Sequence, residues 1–279
     1  MSADEQTRFL QQLAEDLNSK NIRLPSFPDV VINIRTALQD PSCTSERLAG
    51  VVRTDAVLVA RLLMAANSAF HNRAGIEILD LNLAISRLGF EVVRNTAITL
   101  AVEQIFNASQ YAELRQSMKT LWSDSLSLAS MCFVIAHQSS ALNADNAYLC
   151  GLFHEVGKLY ILTRARAFPG LMGDPGSLES VLEQWYATVG KSIVEAWGFP
   201  DEIADCMDIE ENLGNNADSP ATLVDVIHAA RLVLRDDAGE GVGADTFAAG
   251  DKLNINPDTI AGIRHAYQQH AQSMRQAVG

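Results

Sequence analysis

Residues 55–70 read Asp-Ala-Val-Leu-Val-Ala-Arg-Leu-Leu-Met-Ala-Ala-Asn-Ser-Ala-Phe. Within them Leu58, Leu62, Ala65 and Ala66 fall at i, i+4, i+7 and i+8, one face of a helix turned to a core. The same spacing recurs on both sides. Leu81, Ala84, Ile85 and Leu88 repeat it, with Asp80 placed as an N-cap and Gly89 as a C-terminal stop. Upstream, Phe9, Leu10, Leu13 and Leu17 share a face. Downstream, Leu121, Ser125, Leu128, Ala129, Cys132, Ile135 and Ala136 make a long stripe. Leu178, Leu182, Trp185, Val189 and Ile193 make another, which ends at Gly198-Phe199-Pro200. Ser219-Pro220 and Asn256-Pro257 each read as an N-cap followed by a first-turn proline. Leu79 to Ile85 alternates apolar and polar residues, yet the helical template fits it equally well. No hairpin dipeptide sits between alternating runs. The expected fold class is all-α, with about ten helices of ordinary length.

Composition narrows the function. The chain has 279 residues, 48% of them hydrophobic and 20% charged, enough apolar surface for a sizeable core. Twenty-one Lys and Arg against 34 Asp and Glu give a net charge of −13. An acidic chain without a basic face repels phosphate backbones and anionic membranes, so neither nucleic acid nor membrane is expected as a partner. No apolar run approaches the ~20 residues that span a bilayer. The polar start, Met1 to Gln12, lacks the basic-then-apolar pattern of a signal peptide. Cys43, Cys132, Cys150 and Cys206 lie far apart with no CxxC pair, the usage of reduced thiols in a cytoplasmic protein. Asp236 to Gly250 and Gly170 to Ser177 read as surface loops. The likeliest division of the chain falls near residues 107–118, where polar residues interrupt the stripes.

Two blocks carry a family resemblance. The first joins Leu24-Pro25-Ser26-Phe27-Pro28, the 55–70 stretch and Ala84 to Phe90. The second joins Leu121-Trp122-Ser123-Asp124-Ser125 to Gly151-Leu152-Phe153-His154-Glu155-Val156-Gly157-Lys158-Leu159. From about Leu24 to Leu234 the chain resembles the HDOD family, the HD-related output domains of bacterial signalling proteins. The resemblance implies a multi-helix HD-like bundle related to metal-dependent phosphohydrolases, with an N-terminal helical subdomain. It divides the chain into an N-terminal helix (1–23), the N-terminal helical part of the HDOD domain (24–115) and an HD-like core with C-terminal helices (116–279). It also implies a bacterial, cytoplasmic setting and signalling partners of the two-component or cyclic-di-nucleotide kind.

An active HD site gathers imidazoles and carboxylates around a divalent cation, which activates water and polarises a phosphoryl oxygen. The resemblance sets its first His where this chain has Asp124, and its His-Asp pair at His154-Glu155. A later His would fall near Tyr186, a poor ligand for hard cations, and a His-His pair at Glu210-Glu211. The final Asp would fall near Ala230, which has no donor; His228, two residues earlier, points to another helix face. One ligand type survives in place. Asp124, His154, Glu155, Glu210 and Glu211 could still hold Mg, Mn, Fe or Zn if they converged. Otherwise they line a polar pocket inherited from an enzyme, with no cofactor.

Lys158 reads either as a phosphate contact in that pocket or as a surface cation near a helix end. Cys150 and His154 share a helix face, but a buried thiol fits better than a nucleophile, since no oxyanion-hole signature accompanies them. Asn67 and Ser68 are placed to cap carbonyls or bridge helices. Trp122, Trp185 and Trp197 read as packing. The expected function is a non-catalytic signalling output module acting through protein–protein or small-ligand binding. The alternative is a divergent metal-dependent phosphohydrolase in which His154 and Asp124 hold the metal and Lys158 steers the phosphate.

Overall fold

The computed structural model describes residues 2–19, 27–72, 75–139, 141–212, 219–237, 250, 252–256 and 258–278. Among them every regular element is helical, so the fold is all-α. In chain order the α-helices are α1 (Ser2–Asn18), α2 (Asp29–Leu38), α3 (Ser45–Val52), α4 (Ala56–Asn67), α5 (Leu81–Leu88), α6 (Phe90–Phe106), α7 (Arg115–Gln138) and α8 (Ala144–Phe153). They continue as α9 (Val156–Ala165), α10 (Pro169–Met172), α11 (Pro175–Ala196), α12 (Asp201–Ala204), α13 (Ile209–Asn212), α14 (Leu223–Asp237) and α15 (Ile260–Val278). Short 3-10 turns span Ser109–Leu114 and Asp205–Met207. Leu24 to Ser26, most of the 236–250 loop and Pro257 lie outside the described residues.

The chain forms two compact units, residues 1–25 with 107–256 and residues 26–106 with 257–279. This layout differs from the linear one in two places. Helix α1 belongs with the HD-like part: Phe9 meets Phe168 edge-on at 5.4 Å, the Tyr160 hydroxyl donates to Asp16 at 2.8 Å, and Gly170 N–H donates to Glu5 at 2.6 Å. Helix α15, which the sequence assigned to 116–279, packs on α4 instead, where His270 meets Phe70 edge-on at 5.4 Å.

In the 26–106 unit, the stripe of Leu58, Leu62, Ala65 and Ala66 is buried. Asp55 caps α4 by accepting from the Val57 and Leu58 amides, and Asp80 caps α5 by accepting from Leu83. Gly89, at φ +81°, takes the turn between α5 and α6 that a residue with a Cβ resists. Helix α6 is buried on every side over its middle, from Asn95 through Thr99 to Val102, so it has no apolar stripe to read.

The other unit is built on α7, which lies along α8; α11 covers α9, and α14 packs on α7 and α8. Helix α14 begins at Leu223, three residues after the proline that the sequence suggested. Thr222 and Asp225 cap it reciprocally: the Asp225 carboxylate accepts from the Thr222 amide, and the Thr222 hydroxyl accepts from the Asp225 amide. The 170–177 stretch is largely helical rather than a loop. Asp174 accepts from Ser177 N–H and Pro175 opens α11, so the GDP run starts a helix.

Candidate functional site

The site forms at the junction of α8 and α9. Asn143 caps α8 by accepting from the Asp145 and Asn146 amides. Gly151 lets α8 lie against α7 backbone to backbone; a Cβ there would stand 2.5 Å from the Ala129 nitrogen. The helix ends at His154, and Glu155, at φ −91° and ψ 0°, turns the chain into α9. Gly157 then brings α9 onto α11, where a Cβ would run into the Tyr186 carbonyl. These two glycines fix His154-Glu155 in a bend between packed helices.

His154 is 2% exposed, and its Nδ1 has no hydrogen-bond partner. Burial, then the charges of Arg231 and Lys158, push its pKa down to about 3, against a hydrogen bond to the Cys206 backbone. The ring is therefore neutral at pH 7. It meets the Tyr186 ring edge-on at 5.6 Å. Across the bend, Lys158 Nζ lies 2.8 Å from Glu155 Oε2 and 5.1 Å from the centre of the Tyr186 ring. Burial raises the Asp124 pKa, Glu155 raises it further, and Lys158 opposes both. The indole N–H of Trp185 is buried without a partner.

The structure thus brings Asp124, His154, Glu155 and Lys158 into one neighbourhood. Glu210 and Glu211 stand exposed on the short helix α13, with the Glu211 amide donating to Asp208 at 3.1 Å. One neighbour escaped the sequence reading, and another has a different role from the one weighed. Arg231 comes from α14, and only its position beside Ala230 hinted at it. Tyr186 was weighed as a ligand and is instead a wall. The Cys150 thiol is fully buried near Cys206 and Cys132, and burial pushes its pKa well up, the reverse of what a nucleophile needs. Trp197, half-buried, packs on Phe153 at 5.6 Å, the packing role expected of it.

A family model described as HDOD domain matches residues 24–213. The chain belongs to the HDOD family. A curated protein of Treponema pallidum (strain Nichols), named "Uncharacterized protein", is 21% identical over 245 residues, which cover 82% of this chain and 45% of that one. The chain spans less than half the length of that relative. Among solved structures, a "Putative metal-dependent phosphohydrolase" of Shewanella amazonensis SB2B superposes with a TM-score of 0.78 at 22% identity, covering 97% of this chain and 99% of that one. A "Putative signal transduction protein" of Marinobacter aquaeolei VT8 gives 0.66 at 20% identity, covering 99% and 68%. These likenesses establish the HD-like helical fold.

A metal of the HD-enzyme kind would have to be held by the donors around His154. A divalent cation needs three or more donors converging. Among the described residues no three His, Cys, Asp or Glu side chains gather in that way. His154 offers one imidazole, Glu155 already faces the Lys158 ammonium, and the Tyr186 ring closes a third side. The described residues do not fit a resident metal.

Proposed function

We propose that this HDOD chain is a non-catalytic signal-transduction module that works by binding a protein partner or a small ligand. The observation that carries the reading is the ammonium of Lys158. It sits 2.8 Å from the pocket carboxylate Glu155 and over the Tyr186 ring, so a tethered cation supplies the positive charge that a metal would bring. Among the described residues no three donors converge as a water-activating metal requires. Partners of the two-component or cyclic-di-nucleotide kind and a cytoplasmic setting remain what family membership suggests. The net charge of −13 supports a role without nucleic acid. No helix among the described residues is long and apolar enough to cross a membrane.

The test is a turnover screen. The protein is incubated with bis(p-nitrophenyl) phosphate and with cyclic dinucleotides in the presence of Mg²⁺, Mn²⁺, Fe²⁺ or Zn²⁺. No hydrolysis above the protein-free rate is expected. Metal-dependent turnover that His154→Ala abolishes would overturn the proposal and restore the phosphohydrolase reading.

A further inference from the structure

The 26–106 unit carries a feature that the pocket chemistry does not use. Large apolar side chains stand exposed at Ile32, Val57, Met64, Ile76, Leu79 and Leu83, and all six belong to this unit. Two of them, Ile76 at 68% and Leu79 at 76% exposure, lie on the segment Gly75–Asp80, which joins α4 to α5 without helix or turn.

One side of that segment is closed by side chains. The Asn67 amide donates to the Ile78 carbonyl at 2.8 Å and accepts from the Ile78 N–H at 2.8 Å, as a neighbouring strand would. Asn72 donates to the Ile76 carbonyl at 2.7 Å, and Arg87 holds Asn72 in place at 2.7 Å. The residues that alternate with this row are Glu77 and Leu79. Their backbone groups make no hydrogen bond among the described residues. Ile78 is 1% exposed and anchors the segment, whereas Ile76, Glu77 and Leu79 all face solvent. Backbone groups bonded at Ile76 and Ile78, and unbonded at Glu77 and Leu79, leave one edge of this irregular segment open.

An open edge beside exposed apolar side chains is the template to which an extended peptide adds as a strand. The charges select among peptides. Glu77 and Asp80 are acidic, and no Lys or Arg follows Gly75 until Arg87. We propose that Gly75–Asp80 accepts an extended segment of a partner protein in which apolar residues alternate with Lys or Arg. Its backbone pairs with Glu77 and Leu79, its cations face Glu77 and Asp80, and its apolar side chains lie on Leu79 and its exposed neighbours. This inference holds whether or not the His154 pocket is catalytic.

The probe is a fluorescent ten-residue peptide of alternating valine and lysine, titrated with the intact chain and read by anisotropy at physiological salt. Saturable binding is expected. N-methylation of every second peptide amide should weaken it at least tenfold. Leu79→Pro, which removes the outward N–H and leaves the Ile78 bonds in place, should do the same. Leu79→Lys is the companion variant should the proline disturb α5, and circular dichroism confirms that each variant is folded. Ile32→Ser, away from the edge, should bind as the parent does. Absence of binding overturns the proposal, as does binding indifferent to both N-methylation and the Leu79 variants, which would be plain charge attraction. Sedimentation of the parent chain as a dimer that Leu79→Pro dissolves would overturn it in favour of a second copy of this chain.

Discussion

Two polar clusters of similar size meet different fates in this molecule. Around Asn67, the side-chain amide meets both backbone groups of Ile78 and also the Leu63 carbonyl at 2.9 Å, while Asn72 and Arg87 complete the network. Around His154, which has Asp124, Glu155 and Lys158 in its neighbourhood, the imidazole Nδ1 is buried with no partner among the described residues. An unsatisfied buried polar group costs about 1–3 kcal/mol, so a fold keeps one only where backbone packing holds it or where it once served chemistry. The first cluster is what polar residues look like when they build a fold. The second lies between the close helix contacts at Gly151 and Gly157, which hold its backbone while the Nδ1 of His154 goes unpaired.

That contrast can be broken by experiment, beginning with the largest effect. Gly157→Ala should destabilise the chain by about 3 kcal/mol in urea unfolding, because the new methyl meets the Tyr186 carbonyl rather than a side chain that can turn away. A value near zero would mean that backbone fit does not hold the pocket. Asn67→Ala should cost about 2 kcal/mol, since the paired backbone groups of Ile78 lose their partners. Faster hydrogen exchange at the Ile78 amide would locate that loss.

His154 gives the pH signature. Its folded pKa of about 3 lies below the ~6.5 of an unfolded histidine, so the unfolded chain binds more protons in that window. Its contribution to stability is complete above pH 6.5 and falls away as pH drops toward 3. Between pH 7 and pH 5 the loss from this group should be about 2 kcal/mol. Comparing unfolding of the parent and His154→Leu at the two pH values isolates it, and the variant should lack that component. At pH 7 the same substitution should change stability by less than about 1 kcal/mol, because a leucine needs no partner. The smallest effect is the last: Mn²⁺ should shift the melting temperature by less than about 1 °C, since a ligand stabilises only what it binds. A larger shift lost in His154→Ala would place the two clusters on a different footing.

Much of the fold was legible because amphipathic helices write their burial into sequence. The stripes at Leu58–Ala66 and Leu81–Leu88 and the caps Asp55 and Asp80 sit in the structure as the pattern implies. Helix α6 was not legible in that way, because burial on all sides erases the periodicity. The start of α14 was misplaced because Ser219-Pro220 carries a strong local signal, yet the reciprocal Thr222–Asp225 cap decides the boundary. In the site, His154, Glu155 and Lys158 were readable as one local motif, and Asp124 as its companion from α7. Arg231 and the wall made by Tyr186 were not, because which residue of a distant helix faces a pocket depends on tertiary packing. The partnership of α15 with α4 lies beyond local pattern for the same reason.

The interleaving of the two units has a consequence for how the chain is made. Helix α1 is synthesised before residues 26–106 and finds its partners at Tyr160, Phe168 and Gly170 only after that stretch has been translated. At typical elongation rates it waits roughly 10–30 s on the ribosome before those partners emerge. Helix α15, which packs in the unit of residues 26–106, arrives only after residues 107–256. Neither unit is a contiguous stretch, so a gene fragment that encodes one without the far end of the other leaves apolar helix faces uncovered. In evolution, these two units are expected to travel between proteins together.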